Sequence, residues 1–137
     1  IFKKITMNNK LDKILAEISA GELIDKITIL EIKKENIKDI KKLDDVEKEL
    51  LSLNNTLKVS IPNQSKINVL IEKLKHINLR LWDIENGKRL AEKNNKFDEK
   101  FIKLARSVYK ENDERSRIKL EINNILNSNI KEIKSHY

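Results

Sequence analysis

An all-α fold is what this sequence predicts: a long antiparallel helical hairpin packed with a shorter N-terminal helix pair, about four helices in all. Three observations predict it. Apolar residues recur at steps of three and four along most of the chain, the period that lines one face of a helix. The 137 residues include only two Gly and one Pro, too few for the many turns of a sheet protein. Charged residues make up 37% and hydrophobic residues 39%, the balance expected of helices with one wet face and one dry face. This length suits one core, so 1–137 is read as a single helical domain.

Residues 1–18 are an ambiguous lead-in. Leu11, Ile14, Leu15 and Ile18 fit a short helix, while Ile14, Ala16 and Ile18 fit a strand, and the segment is expected to pack as a lead-in. Ser19-Ala20-Gly21-Glu22 then has the spacing of a capping box, with the Ser19 hydroxyl accepting from the Glu22 N–H and the Glu22 side chain reaching back to the Ser19 N–H. The first helix follows, with Leu23, Ile27, Leu30 and Ile37 on its stripe, to about residue 37. Leu43, Val46, Leu50, Leu53 and Leu57 predict a second helix over about 40–58. The only proline lies in Ser60-Ile61-Pro62-Asn63-Gln64-Ser65, a run of turn formers that makes 60–66 the central loop. From 66 to 94 the steps Ile67, Leu70, Leu74, Ile77, Leu81 and Ile84 predict a helix on the order of 40 Å long, running through Gly87 at a cost of about 1 kcal/mol. After the polar turn Asn94-Asn95-Lys96, a last helix is predicted over 98–128 with Asp98 as its cap and Phe101, Leu104, Ala105, Val108, Ile122 and Leu126 on one face. A turn that short makes the last two helices antiparallel, with the first pair covering their apolar stripes.

The absence of cysteine excludes disulfides, thiolate nucleophiles and Cys-based zinc sites, and fits a cytoplasmic protein. No apolar run reaches the length of a membrane span, and the start, Ile1-Phe2-Lys3-Lys4-Ile5-Thr6, lacks the apolar stretch of a secretory signal. Met7 could be an internal methionine or a native start. The formal charge of +7 invites a nucleic-acid reading. The basic residues are interleaved with acids, as in Lys33, Lys34 and Lys38 alternating with Glu35 and Asp39, so a mixed-charge solvated surface is favoured and nucleic acid is not an expected partner. His76 and His136 have no partners at metal-ligand spacing, so no metal site and no cofactor is expected. Gly21 has no Gly-rich company from which to build a phosphate loop, and Trp82 and Tyr109 are read as core packing rather than base-stacking platforms.

Polar residues on the apolar faces carry the functional question. Asn112, Arg115 and Lys119 fall inside the stripe of the fourth helix, Asn78, Glu85 and Glu92 flank that of the third, and Glu31 projects between Ile24 and Ile27 on the first, with Thr28 at the border. A hairpin turning near 95–96 sets Asn78 near Arg115, with Glu85 about two turns closer to the turn. The candidate site is therefore Glu31, Asn78, Glu85, Asn112, Arg115 and Lys119, two acids and two bases with two amides. Buried charges must pair or line a cavity. One reading is a structural network that fixes helix register. The other is a site in which Arg115, Lys119 and Asn112 hold an anion and Glu31 or Glu85 handles a proton.

The segment Ile18-Ser19-Ala20-Gly21-Glu22-Leu23-Ile24-Asp25-Lys26-Ile27-Thr28-Ile29-Leu30-Glu31-Ile32-Lys33 resembles an uncharacterised family of small bacterial and phage helical proteins, described as a domain of unknown function. Leu81-Trp82-Asp83-Ile84-Glu85, Phe97-Asp98, Leu104-Ala105-Arg106, Val108-Tyr109, Asn112-Asp113, Arg115 and Glu132-Ile133-Lys134-Ser135 extend the resemblance over most of residues 14 to 135. It implies the helical fold and carries no known reaction, cofactor or catalytic residue. Gly87 and His136 depart from the family's pattern and put local helix order in question. The function class this favours is a helical binding or assembly module that self-associates or is accessory to a partner enzyme. The alternatives are a cofactor-independent enzyme or binder of a small anionic metabolite at the polar cluster, and weak nucleic-acid binding.

Overall fold

A computed structural model describes residues 10–135. The readings of residues 1–9 and of His136 lie outside the described residues. Four helices follow one another, α1 (Ala20–Asn36), α2 (Ile40–Ser60), α3 (Asn68–Lys93) and α4 (Glu99–Ile125), with no strand among the described residues. Predicted and observed ends agree within about two residues, except that α4 stops three residues early. None of these helices is long and apolar enough to cross a membrane.

Three of the four helix starts have a side-chain cap, and α3, which begins after Ile67, has none. Asp39 accepts from the N–H groups of Lys41 and Lys42, and Asp98 from that of Phe101, as a short acidic side chain at an N-cap does. Ser19 accepts from the Glu22 N–H at 3.1 Å, but the reciprocal half of the expected capping box is not made. The Glu22 carboxylate instead takes the Lys119 ammonium at 2.5 Å, because a charge-assisted bond is worth about twice a neutral one. The other free N–H groups of this first turn are met from far along the chain: Ala20 donates to Ser128 Oγ at 3.0 Å and Gly21 to Asn123 Oδ1 at 2.6 Å. The helix N-terminus is thus closed by protein and offers no anion site. Ser19 also donates to Glu132 Oε1 at 2.9 Å. Ser19→Ala should therefore cost about 1–2 kcal/mol in equilibrium denaturation.

Both long helices end on an asparagine in the left-handed region, Asn95 (φ 54°) after α3 and Asn127 (φ 51°) after α4. The following N–H groups fold back onto the helix, Lys96 to the Ala91 carbonyl at 2.9 Å and Ser128 to the Asn123 carbonyl at 2.8 Å, which satisfies carbonyls the helix end leaves open. Asn can stand here for Gly because its short polar side chain tolerates this conformation. The second of these turns reverses the chain, and Lys134 reaches Asp113 at 3.0 Å, so the tail runs back along α4.

The third and fourth helices form the predicted antiparallel hairpin, but the first pair does not cover it as expected. Only α1 lies against both α3 and α4, and the backbone of α2 approaches α1 alone. The core sits at one end, where Leu23, Ile24, Ile27 and Leu30 meet Leu70, Leu74 and Ile77 of α3, and Ile118 and Ile122 of α4. A helix of 17 residues spans about 25 Å against about 40 Å for the hairpin helices, so the hairpin projects past the end of α1. In that projecting part Phe97 and Phe101 pack edge to face with ring centroids 5.1 Å apart. Gly87 stays helical, and a Cβ there would lie 3.0 Å from Leu104 Cδ1 of α4, so the departure from the family's pattern falls at a close approach of the two helices.

The inward face of α4 keeps Ile122 and, half-buried, Phe101, Leu104, Val108 and Leu126 from the stripe read in the sequence, but its most buried side is shifted. Ile118, absent from the predicted stripe, is fully buried, whereas Ala105 is exposed. The prediction started from Phe101 in the projecting half, where one neighbour defines the face, whereas α1 defines it around Ile118. Tyr109, read as core, is 55% exposed for the same reason.

Candidate functional site

The hub of the polar cluster is Asp25, a residue the sequence reading passed over. Its carboxylate is 0% exposed and faces both hairpin helices from α1. Asn78 Nδ2 of α3 and Arg115 Nε of α4 each donate to Asp25 Oδ1 at 2.9 Å, and Arg115 Nη2 donates to Oδ2, which makes a two-pronged ion pair. Asn78 also donates to Thr28 Oγ1 at 2.9 Å, while the Thr28 hydroxyl gives its proton to the Asp25 carbonyl at 2.8 Å. Arg115 Nη1 reaches Asn112 Oδ1 at 3.3 Å. The bonded carboxylate pushes the Arg115 guanidinium further above its ordinary value, against the opposing effect of burial, so it stays charged.

Lys119 lies one turn along α4. Its ammonium is 2.5 Å from Glu22 Oε2, 3.6 Å from Glu132 Oε1 and 3.9 Å from Asp25 Oδ2. The connected charges are Glu22, Asp25 and Glu132 against Lys26, Arg115 and Lys119, a balanced set in which Arg115 and Lys119 already face carboxylates and neither is free for an anion.

The six predicted residues separate into distinct groups. Asn78, Asn112 and Arg115 meet around Asp25, with Asn78 and Arg115 paired as the hairpin register predicts. Lys119 joins the same network through Glu22. Glu31 is half-buried on α1 and enters no ion pair among the described residues. Glu85 sits about 49% exposed on α3, 3.4 Å from Lys88 and 3.2 Å from Arg89. Lys88, and after it Arg89, hold the Glu85 carboxyl below the usual carboxylate range, so it is ionised and solvated, unlike a proton donor tuned upward by burial.

Asp25 had a signal in the sequence. Gly21, Asp25, Thr28 and Ile32 step by four, three and four, a second stripe beside that of Leu23, Ile27 and Leu30, and all four are buried. A helix buried on two faces is central, and an acid on its second face has to be paired. Gly21 lies on this stripe because α4 crosses it there: a Cβ would sit 2.5 Å from the Lys119 carbonyl oxygen. Glu132 and Ser128 have no such signal, since the reversal after Asn127 brings them to α1, whereas Asn123 meets α1 from the buried face of α4 itself.

Beside the network, α1, α3 and α4 enclose a cleft of about 310 Å³. Ile29, Ile32, Leu81 and Val108 form its apolar wall, Asn78, Asn112 and Arg115 its polar side, and Trp82 and Glu85 complete the lining. Trp82, read as core, is half-buried and faces this cleft. A larger groove of about 590 Å³ lies at the opposite end, between residues 16–20 and the α2–α3 loop, with Ile18, Leu23, Ile61, Pro62 and Leu126 in its lining.

The lead-in beside that groove does not pack as expected. Residues 10–18 form neither helix nor strand, with Leu11, Ile14 and Leu15 between 77% and 87% exposed. Glu17 is held by Asn129 Nδ2 at 2.5 Å. A helix of nine or so residues is unstable in water without a surface for its apolar stripe, and among the described residues none covers Leu11, Ile14 or Leu15.

Fold and site together define an all-α protein whose central helix is fastened to a helical hairpin by a buried ion-pair network. The chain belongs to the family of unknown function DUF6165, whose model matches residues 14–137. No curated protein and no solved structure matches it.

Proposed function

We propose that the chain is a non-catalytic, self-associating assembly module that acts in the cytoplasm and uses residues 10–18 as its docking arm. The observation that carries this reading is the exposure of Leu11, Ile14 and Leu15 in a segment that the other described residues leave uncovered. Leu11, Ile14, Leu15 and Ile18 have the spacing of one helical stripe, and contiguous exposed apolar residues of this kind mark protein contacts. The apolar groove at the base of the arm, with Val59 and Ile130 exposed nearby, supplies a receiving surface on a second copy. The pairing of Arg115 and Lys119 with Asp25, Glu22 and Glu132 supports a structural role for that network over an anion site.

Sedimentation equilibrium of the wild type over a wide concentration range should show reversible association. The triple variant Leu11→Ser, Ile14→Ser, Leu15→Ser should remain monomeric throughout, and at concentrations where the wild type is also monomeric the two should share a melting temperature, because these side chains add nothing to the monomer core. A wild type that is monomeric throughout the range would overturn the reading.

A further inference from the structure

We infer that the cleft between α1, α3 and α4 binds an uncharged planar heterocycle with an amide-type edge, a ring carbonyl next to a ring N–H. This site is separate from the arm and does not depend on self-association.

The network fixes which way two amides face. A carboxylate only accepts, and the Thr28 hydroxyl has given its proton to the Asp25 carbonyl, so Asn78 must turn its NH2 to both of them. Both Asn78 donors are then committed, and its amide oxygen is left for the cleft. A guanidinium only donates, so Asn112 must turn its oxygen to Arg115, which leaves the Asn112 NH2 for the cleft. One hairpin helix therefore offers an acceptor and the other a donor, and a ligand complementary to the pair carries a donor beside an acceptor.

The remaining lining selects a flat, neutral body. Trp82 supplies an indole for stacking, and Ile29, Ile32 and Leu81 supply apolar wall. The Arg115 charge is already neutralised by Asp25, and the ionised Glu85 in the lining opposes an anion. At about 310 Å³ the cleft is at the small end of ligand sites, suited to a single ring or a nucleoside. In this arrangement the ring N–H donates to Asn78 Oδ1, and the adjacent carbonyl accepts from Asn112 Nδ2.

Trp82 is the only tryptophan in the chain, so its fluorescence reports on this cleft. Titration of the full chain with uridine should quench it saturably. 3-Methyluridine, which lacks the ring N–H, should bind at least about tenfold more weakly, because the carbonyl of Asn78 is left without its partner. Benzoate, planar but anionic, should give no saturable change. Asn112→Ala should lose the uridine response. Val108→Phe, which fills the cleft without touching the ion pair, should lose it as well while the circular dichroism spectrum stays that of a folded helical protein. No saturable quenching by uridine in the folded wild type, equal affinity for uridine and its 3-methyl analogue, or tighter binding of benzoate than of uridine would each overturn the inference.

Discussion

Asp25→Ala is expected to cost the folded state about 3–5 kcal/mol, a large share of the roughly 5–15 kcal/mol that holds a domain together. The loss comes less from the removed carboxylate than from what it leaves behind. Arg115 keeps a charged guanidinium beside α1 with its counter-ion gone, and Asn78 loses one of the two acceptors for its NH2 group. Urea denaturation of the single variant measures the loss. The double variant Asp25→Leu, Arg115→Met separates the causes, since replacing both members of a buried pair with apolar groups can be nearly neutral. It should recover most of the single variant's loss, and a double variant as unstable as Asp25→Ala would mean that the network stabilises by its hydrogen bonds rather than by pairing a buried charge.

Gly21→Ala is the second large effect, at about 3 kcal/mol destabilising in the same assay. The sign is not obvious from the residue types, because Ala is the better helix former by about 1 kcal/mol. Packing decides it. The added Cβ would lie 2.5 Å from the carbonyl oxygen of Lys119 and 3.0 Å from its carbonyl carbon and Cα, all backbone atoms that cannot rotate away. Relief requires α1 and α4 to separate, which also stretches the 2.6 Å bond from Gly21 N–H to Asn123 Oδ1. Gly87→Ala is the matched control. Its nearest obstacle, at 3.0 Å, is the end of the Leu104 side chain, so propensity and clash nearly cancel and the melting temperature should hardly move. Equal losses at the two glycines would show that backbone contact at Lys119 is not what distinguishes them.

Both predictions concern residues that the sequence displayed but did not interpret. Asp25 stands in the segment that carries the family resemblance, three residues from the Glu22 of the capping-box pattern, and Gly21 has no glycine neighbours to mark it. The amides fared better. Asn78, Asn112 and Arg115 interrupt apolar stripes at helical spacing, and the hairpin register alone placed Asn78 opposite Arg115. The apolar stripes point to Glu31 and Glu85 as the acidic partners, because those acids lie near them. The geometry gives Arg115 to Asp25 and leaves Glu85 to Lys88 and Arg89 on its own helix. Charge balance in a sequence says that partners exist, not which ones meet.

The sequence by itself determined the helices, their order and the antiparallel hairpin, because these depend on short-range physics: apolar periodicity, caps at Ser19, Asp39 and Asp98, and a connection too short for anything but reversal. Tertiary structure alone decided that α1 is the central helix and α2 an outer one, that the face of α4 turns toward Ile118, and that the segment after Asn127 returns to close the start of α1. It also decided that the lead-in is neither helix nor strand and lies exposed. Each of these depends on which surfaces remain free once the hairpin has formed, and the angles that settle it are set by contacts such as Gly21 against Lys119, between residues far apart in the chain.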